Sequence, residues 1–83
     1  LINQIAPAGE ALAQAKVLAA KIAENGPLAV KRSKQVIKES IDWSQEEMFD
    51  KQQVITSAVF SSEDAIEGAT AFAEKRKPNW KGR

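Results

Sequence analysis

Eighty-three residues carry 12 basic and 11 acidic side chains, a net charge of +1, with 43% apolar and 28% charged residues. One small domain is the most such a length supports, and a chain this short buries only about 60–65% of the surface it exposes when unfolded. The absence of cysteine and histidine excludes disulfides, thiolate or imidazole metal sites and the usual general base, and the charge balance is that of neither a disordered chain nor a strongly basic nucleic-acid binder.

Leu1 to Pro7, LINQIAP, has β-compatible residues at Leu1, Ile2 and Ile5 and reads as the end of a strand or an extended lead-in. No second strand is visible, so its mate is expected elsewhere, and a start at Leu1 rather than Met suggests a processed or cut piece. The first helix is predicted from about Gly9 to Glu24, with Glu10 in its opening turn and Leu12, Ala15, Ala19, Ile22 and Ala23 along one apolar face. Asn25-Gly26 supplies a left-handed stop, and Pro27 suits the first position of a second helix. That helix is expected to run to about Ile41, with Leu28, Ala29, Val36, Ile37 and Ile41 apolar and Lys31, Arg32, Lys34, Gln35 and Lys38 facing water. The short connection predicts that the first two helices are close neighbours.

Ser44-Gln45-Glu46-Glu47 is a capping box, opening a third helix that runs to about Val59 with Met48, Gln52, Ile55 and Val59 in one stripe. Ser61-Ser62-Glu63-Asp64 caps a fourth, predicted to reach Lys75 or Arg76 and to bury Ala65, Gly68, Ala69, Phe72 and Ala73. Gly68 in mid-helix costs about 1 kcal/mol relative to alanine and points to close backbone approach by a neighbour. The fold class is therefore all-α, four helices after a short extended segment. No apolar run reaches the roughly 20 residues needed to cross a bilayer.

The carboxylates fall on polar faces or in caps, none of the serines has a histidine to activate it, and no glycine-rich phosphate loop is present. Read by its residues, the chain carries no catalytic machinery. The feature left over is the exit of the fourth helix. Between Glu74 and Arg83 five basic residues (Lys75, Arg76, Lys77, Lys81, Arg83) stand against one acid. Cations at a helix C-terminus gain about 0.3–1 kcal/mol from its dipole, which accounts for Lys75 and Arg76 without a ligand. Alternatively Lys75, Arg76 and Lys77 meet an anion such as a nucleotide phosphate, which lysine suits as a mobile point charge, while Pro78-Asn79-Trp80 turns the tail and anchors it by its indole. A small helical nucleic-acid- or partner-binding module is the competing reading, on the strength of Lys31, Arg32, Lys34 and Lys38. No aromatic stacking platform accompanies that stripe.

FSSEDAIEGATAFAEKRKPNWKGR resembles the carboxyl terminus of the enoyl-CoA hydratase/isomerase (crotonase) superfamily, in its acidic helix start, EG, AF, then EKR-x-P and an aromatic. LINQIAPAGEAL resembles the family's last strand and the beginning of its helical tail, and NGPLAVKRSKQVIKES its helix that opens with proline. The resemblance covers essentially the whole chain. It implies a remnant of the last strand at 1–7 and, at 8–83, the helical oligomerisation region of a ββα-spiral enzyme whose catalytic domain is absent. It further implies an enzyme that adds water to a 2-enoyl-CoA thioester with an oxyanion hole and glutamates not in this chain, packed as a trimer or dimer of trimers in the cytoplasm. Its substrate would be an acyl-CoA, with no covalently bound cofactor, metal, nucleic acid or membrane involved. In the family a lysine of the EKR string reaches coenzyme A held by an adjacent subunit. Lys75 matches it, with Arg76 and Lys77 as secondary contacts. The aromatic that covers the ligand one helix earlier falls on Thr56, a departure from the pattern, and Phe60 aligns with an aromatic of packing character.

Overall fold

The computed structural model describes residues 1–83 and contains four α-helices and no strand: α1 Ala11–Ala23, α2 Pro27–Glu39, α3 Met48–Phe60 and α4 Glu63–Ala73. The expected fold class and helix count hold. Residues 1–7 form no ladder, because no other segment of the chain offers one.

Helix boundaries follow local chemistry, in places differently from the sequence expectation. Gly9 does not open α1. It has φ +81°, and the Glu10 N–H donates to the Pro7 carbonyl at 3.0 Å, so Pro7–Glu10 is a tight turn that uses glycine's freedom at its third residue. Glu10 is consequently the residue before the helix rather than part of its first turn. Nor do Asn25 and Gly26 make a left-handed stop. Gly26 has φ −56° and ψ 123°, and α1 is closed by the Asn25 amide, which donates to the carbonyls of Lys21 and Ile22. Pro27 starts α2 as expected. α2 tightens into a 3₁₀ turn over Ser40–Asp42 instead of continuing to Ile41. The Ser44 box forms, the Ser44 N–H donating to Glu47 Oε2 at 3.4 Å and the Glu47 N–H to Ser44 Oγ at 3.3 Å, but it closes a turn ahead of α3, which starts only after Glu47. α4 opens on Ser62, whose Oγ accepts from the Ala65 N–H and donates to the Val59 carbonyl.

The packing is open. α2 lies along α3 and α3 meets α4, but α1 has no extended packing against any other helix, contrary to the expected α1–α2 neighbourhood. The radius of gyration is 16.2 Å, against about 12 Å for a compact domain of this length. The accessible surface is 7137 Å², against about 4,900 Å² for a folded monomer of this mass. Leu12, Val17, Leu18 and Ile22 of α1 are all exposed, so the apolar face read from its periodicity exists but is uncovered within the chain. α2 turns Leu28, Ala29 and Val36 partly inward, while Ile37 and Ile41 stay exposed. Arg32 and Gln35, expected in water, are half-buried and linked to each other at 2.8 Å.

Only Ala71, Ser62 and Asp64 are buried. The buried side of α4 keeps only part of the expected Ala65–Gly68–Ala69–Phe72–Ala73 line: Ala65 and Gly68 are half-buried, but Ala69 and Ala73 are exposed and Phe72 is 88% exposed. It runs through Asp64, Glu67, Gly68 and Ala71, one helical face with carboxylates on it. That face receives the chain's own tail.

Candidate functional site

The tail, residues 77–83, folds back along α4 and is held by that helix's carboxylates. Asp64 is 5% exposed, and its two oxygens accept from the backbone N–H groups of Lys81 (2.7 Å) and Gly82 (2.8 Å). Its own N–H donates to the Arg83 carbonyl at 2.8 Å. Glu63 pairs with Arg83 at 3.3 Å and Lys81 at 3.5 Å. Arg83 holds the Glu63 carboxyl below its ordinary range.

Glu67 is the busiest of the three. It takes both terminal nitrogens of Arg76, at 2.6 and 3.1 Å, and the Asn79 N–H at 2.7 Å. Chiefly because of the Arg76 fork, its pKa falls to about 2. Arg76 also reaches Glu74 through Nε at 2.6 Å, and its own pKa is raised by the two carboxylates, Glu67 first.

Trp80 closes the clasp. Its Nε1–H donates to the Glu24 carbonyl at 2.9 Å, joining the tail to the end of α1. Its ring lies against Gly26 and Gly68: a Cβ at Gly68 would meet Cη2 at 3.1 Å and Cζ3 at 3.3 Å. Gly68 thus does mark a close approach, by an indole rather than a backbone. A cleft of about 220 Å³ between α2, the end of α3 and α4 is lined by Leu28, Val59, Ala65 and Trp80 among others.

The turn between α4 and the tail is unusual. α4 ends at Ala73, earlier than expected, and Lys75 has φ +54°, the one non-glycine residue in the left-handed region. Its N–H donates to the Phe72 carbonyl at 3.2 Å, and the Arg76 N–H to the Ala71 carbonyl at 3.0 Å. This is the Schellman closure, whose left-handed position usually belongs to glycine.

The five basic residues of the exit are therefore sorted. Arg76 is paired with Glu67, and Lys81 and Arg83 share Glu63, whereas Lys75 and Lys77 are exposed and have no ion-pair partner. The remaining candidates lie elsewhere. Thr56 is half-buried on α3, its hydroxyl donating to the Gln52 carbonyl at 3.0 Å. Phe60 ends α3 and is 81% exposed, packing on nothing in this chain. α4 separates Phe60 from Lys75 by about 16 Å of helix, so the two do not meet in one chain. The α2 lysines 31, 34 and 38, with Gln35 and Glu39, line a shallow groove with no aromatic in it.

Asp64, Glu67 and Glu24 as tail partners are not apparent from hydrophobic periodicity. The available signal is charge spacing: acids at 63, 64 and 67 against bases at 76, 81 and 83.

The family model for enoyl-CoA hydratase/isomerase matches residues 1–83, the entire chain. The chain belongs to the enoyl-CoA hydratase/isomerase family. Among its relatives, the enoyl-CoA hydratase EchA19 of Mycobacterium tuberculosis is 45% identical over 83 residues, and the carnitinyl-CoA dehydratase of Proteus mirabilis is 40% identical over 90 aligned positions. The chain is covered completely in both comparisons, but it spans only 31% and 33% of those proteins. The crystal structure of a probable enoyl-CoA hydratase/isomerase from Mycobacterium abscessus superposes with a TM-score of 0.96 at 55% identity, over 99% of this chain and 32% of that one. The open arrangement of helices is thus shared with a member of the enoyl-CoA hydratase/isomerase family that is about three times longer.

Proposed function

We propose that this chain is the carboxyl-terminal helical region of an enoyl-CoA hydratase-like enzyme, and that it covers coenzyme A and mediates oligomerisation. The observation that carries the reading is the sorting of charge at the α4 exit. Three basic side chains are spent on fixing the tail, and Lys75 and Lys77 are left unpaired on the turn so fixed. A lysine offered on a held backbone binds an anion with less ordering cost than one on a loose tail. The enzyme's reaction would be addition of water to the double bond of a 2-enoyl-CoA thioester, or its reverse. The enolate-like transition state would be stabilised by an oxyanion hole outside this segment. Here Lys75 supplies ground-state affinity for the nucleotide half of the substrate, with Lys77 beside it. Arg76 serves the turn rather than the ligand.

Kinetics of Lys75→Ala in the enzyme that carries this segment test the assignment. The KM for the acyl-CoA is expected to rise about fivefold to tenfold with kcat unchanged. Equal loss in kcat and kcat/KM would refute a ground-state binding role.

Oligomerisation rests on the uncovered surface. The excess of about 2,200 Å² over a compact monomer, with α1 bare on its apolar side, is the surface that the rest of the enzyme and neighbouring copies would cover in a trimer or dimer of trimers. Sedimentation of the isolated 83-residue chain should show self-association. A well-folded monomer at micromolar concentration would overturn this part.

A further inference from the structure

We infer that Glu67 is a positioning residue for Lys75, acting through Arg76 and Asn79. The inference rests on the reading that Lys75 binds the substrate's nucleotide half, and goes beyond it. Lys75 sits at φ +54° with no side-chain partner of its own. A non-glycine residue persists there only when its surroundings over-determine the backbone. Besides the two backbone bonds of the Schellman closure, the bonds that do so converge on one carboxylate. Glu67 holds the guanidinium of the next residue, Arg76, in a two-pronged grip and takes the Asn79 N–H beyond Pro78. Arg76 adds a bond from Nη1 to the Lys77 carbonyl at 3.2 Å and one to Glu74, the residue before Lys75. Residues 76 and 79 are tied directly to a carboxylate that lies two turns back on α4, and residues 74 and 77 are tied to it only through Arg76. Lys75 is the point around which the bonded frame turns, and its direction is set by that frame.

Without the Glu67 charge, Arg76 loses its two-pronged grip and keeps only Glu74 and the Lys77 carbonyl, and the Asn79 N–H loses a charged acceptor. Lys75 can then relax to negative φ, which turns its ammonium away from the direction the frame imposed. Removing the Glu67 charge leaves Arg76 less compensated, which by itself favours an anion, so a rise in KM would run opposite to the bare charge effect.

The test uses the full enzyme as Glu67→Gln, Lys75→Ala and the double variant. Each is assayed with a 2-enoyl-CoA and with the matching pantetheine thioester, which lacks the nucleotide. Glu67→Gln is expected to raise the KM for the CoA ester about fivefold, leave kcat unchanged, leave the pantetheine ester unaffected, and add nothing in the Lys75→Ala background. Arg76→Lys keeps the charge but loses the fork, so it should give the same pattern and serves if Glu67→Gln fails to fold. An effect of Lys75→Ala with none from either positioning variant overturns this inference alone. So does an equal rise for both thioesters, an additive double variant, or a lowered KM through the released Arg76. No effect of Lys75→Ala overturns the underlying reading as well.

Discussion

Gly68→Ala sets two effects of similar size against each other. Alanine in place of glycine inside a helix gains about 1 kcal/mol. The new Cβ, however, would stand 3.1 Å from Trp80 Cη2 and 3.3 Å from Cζ3, inside the roughly 3.5–4.0 Å of favourable carbon contact. The indole must retreat by a few tenths of an ångström. It is held by the 2.9 Å bond from Nε1 to the Glu24 carbonyl and lies close to Gly26, where an added Cβ would meet Cζ3 at 3.6 Å. Overpacking of this kind costs about 1–3 kcal/mol, so the net expectation is a loss of about 1 kcal/mol. Urea unfolding of the enzyme that carries this segment measures it, and hydrogen exchange at the Lys81 and Gly82 amides should accelerate as the tail loosens. With Trp80→Ala as background the obstruction is gone, and Gly68→Ala should become stabilising by about 1 kcal/mol. A Gly68→Ala variant that is more stable with Trp80 in place would refute the account of why glycine stands there.

Lys75→Gly removes the cost of a left-handed lysine and should stabilise the protein by about 0.5–1 kcal/mol in urea while raising the KM for the acyl-CoA. A neutral or destabilising result would mean that the turn carries no strain. Asp64→Ala strips the Lys81 and Gly82 N–H groups of a buried charged acceptor and should cost about 3 kcal/mol, with Asp64→Asn costing roughly half. Thermal or urea unfolding reads both. The pH dependence follows from Glu67, whose carboxyl is depressed from 4.5 to about 2 in the folded chain. A depressed carboxylate stabilises fully above its unfolded value, and that stability is lost as pH falls toward the folded one. Protection of the Asn79 amide should therefore fade between about pH 4.5 and 2, with Glu63, lowered by Arg83, adding to the loss at the end of the tail. Glu67→Gln should abolish the Asn79 part of that titration.

Local grammar was legible in the order of residues. Pro27 as a helix start, the Ser44–Glu47 box and the Ser62 cap each depend on contacts a few residues apart, and each formed. So was the tail's family signature, and with it the family that the whole-length match establishes. Some local points were misjudged, the Gly9 helix start and the Asn25-Gly26 stop among them, but the larger misjudgement came where a distant partner decides. Phe72 belongs to a plausible apolar stripe, yet the α4 face that is covered carries Asp64 and Glu67, because the partner is a backbone strand of N–H groups and an arginine rather than a hydrophobic surface.

Four helices, their capping chemistry and the cluster of bases at the last exit were determined by the sequence, since those depend on spacing within a turn or two. Which of those bases stay available was decided only by tertiary structure. Folding 77–83 back along α4 pairs Arg76, Lys81 and Arg83 with carboxylates 9 to 20 residues away and leaves Lys75 and Lys77 unpaired. Charge composition counts side chains, but neutralisation depends on distance, and only the folded backbone sets the distances.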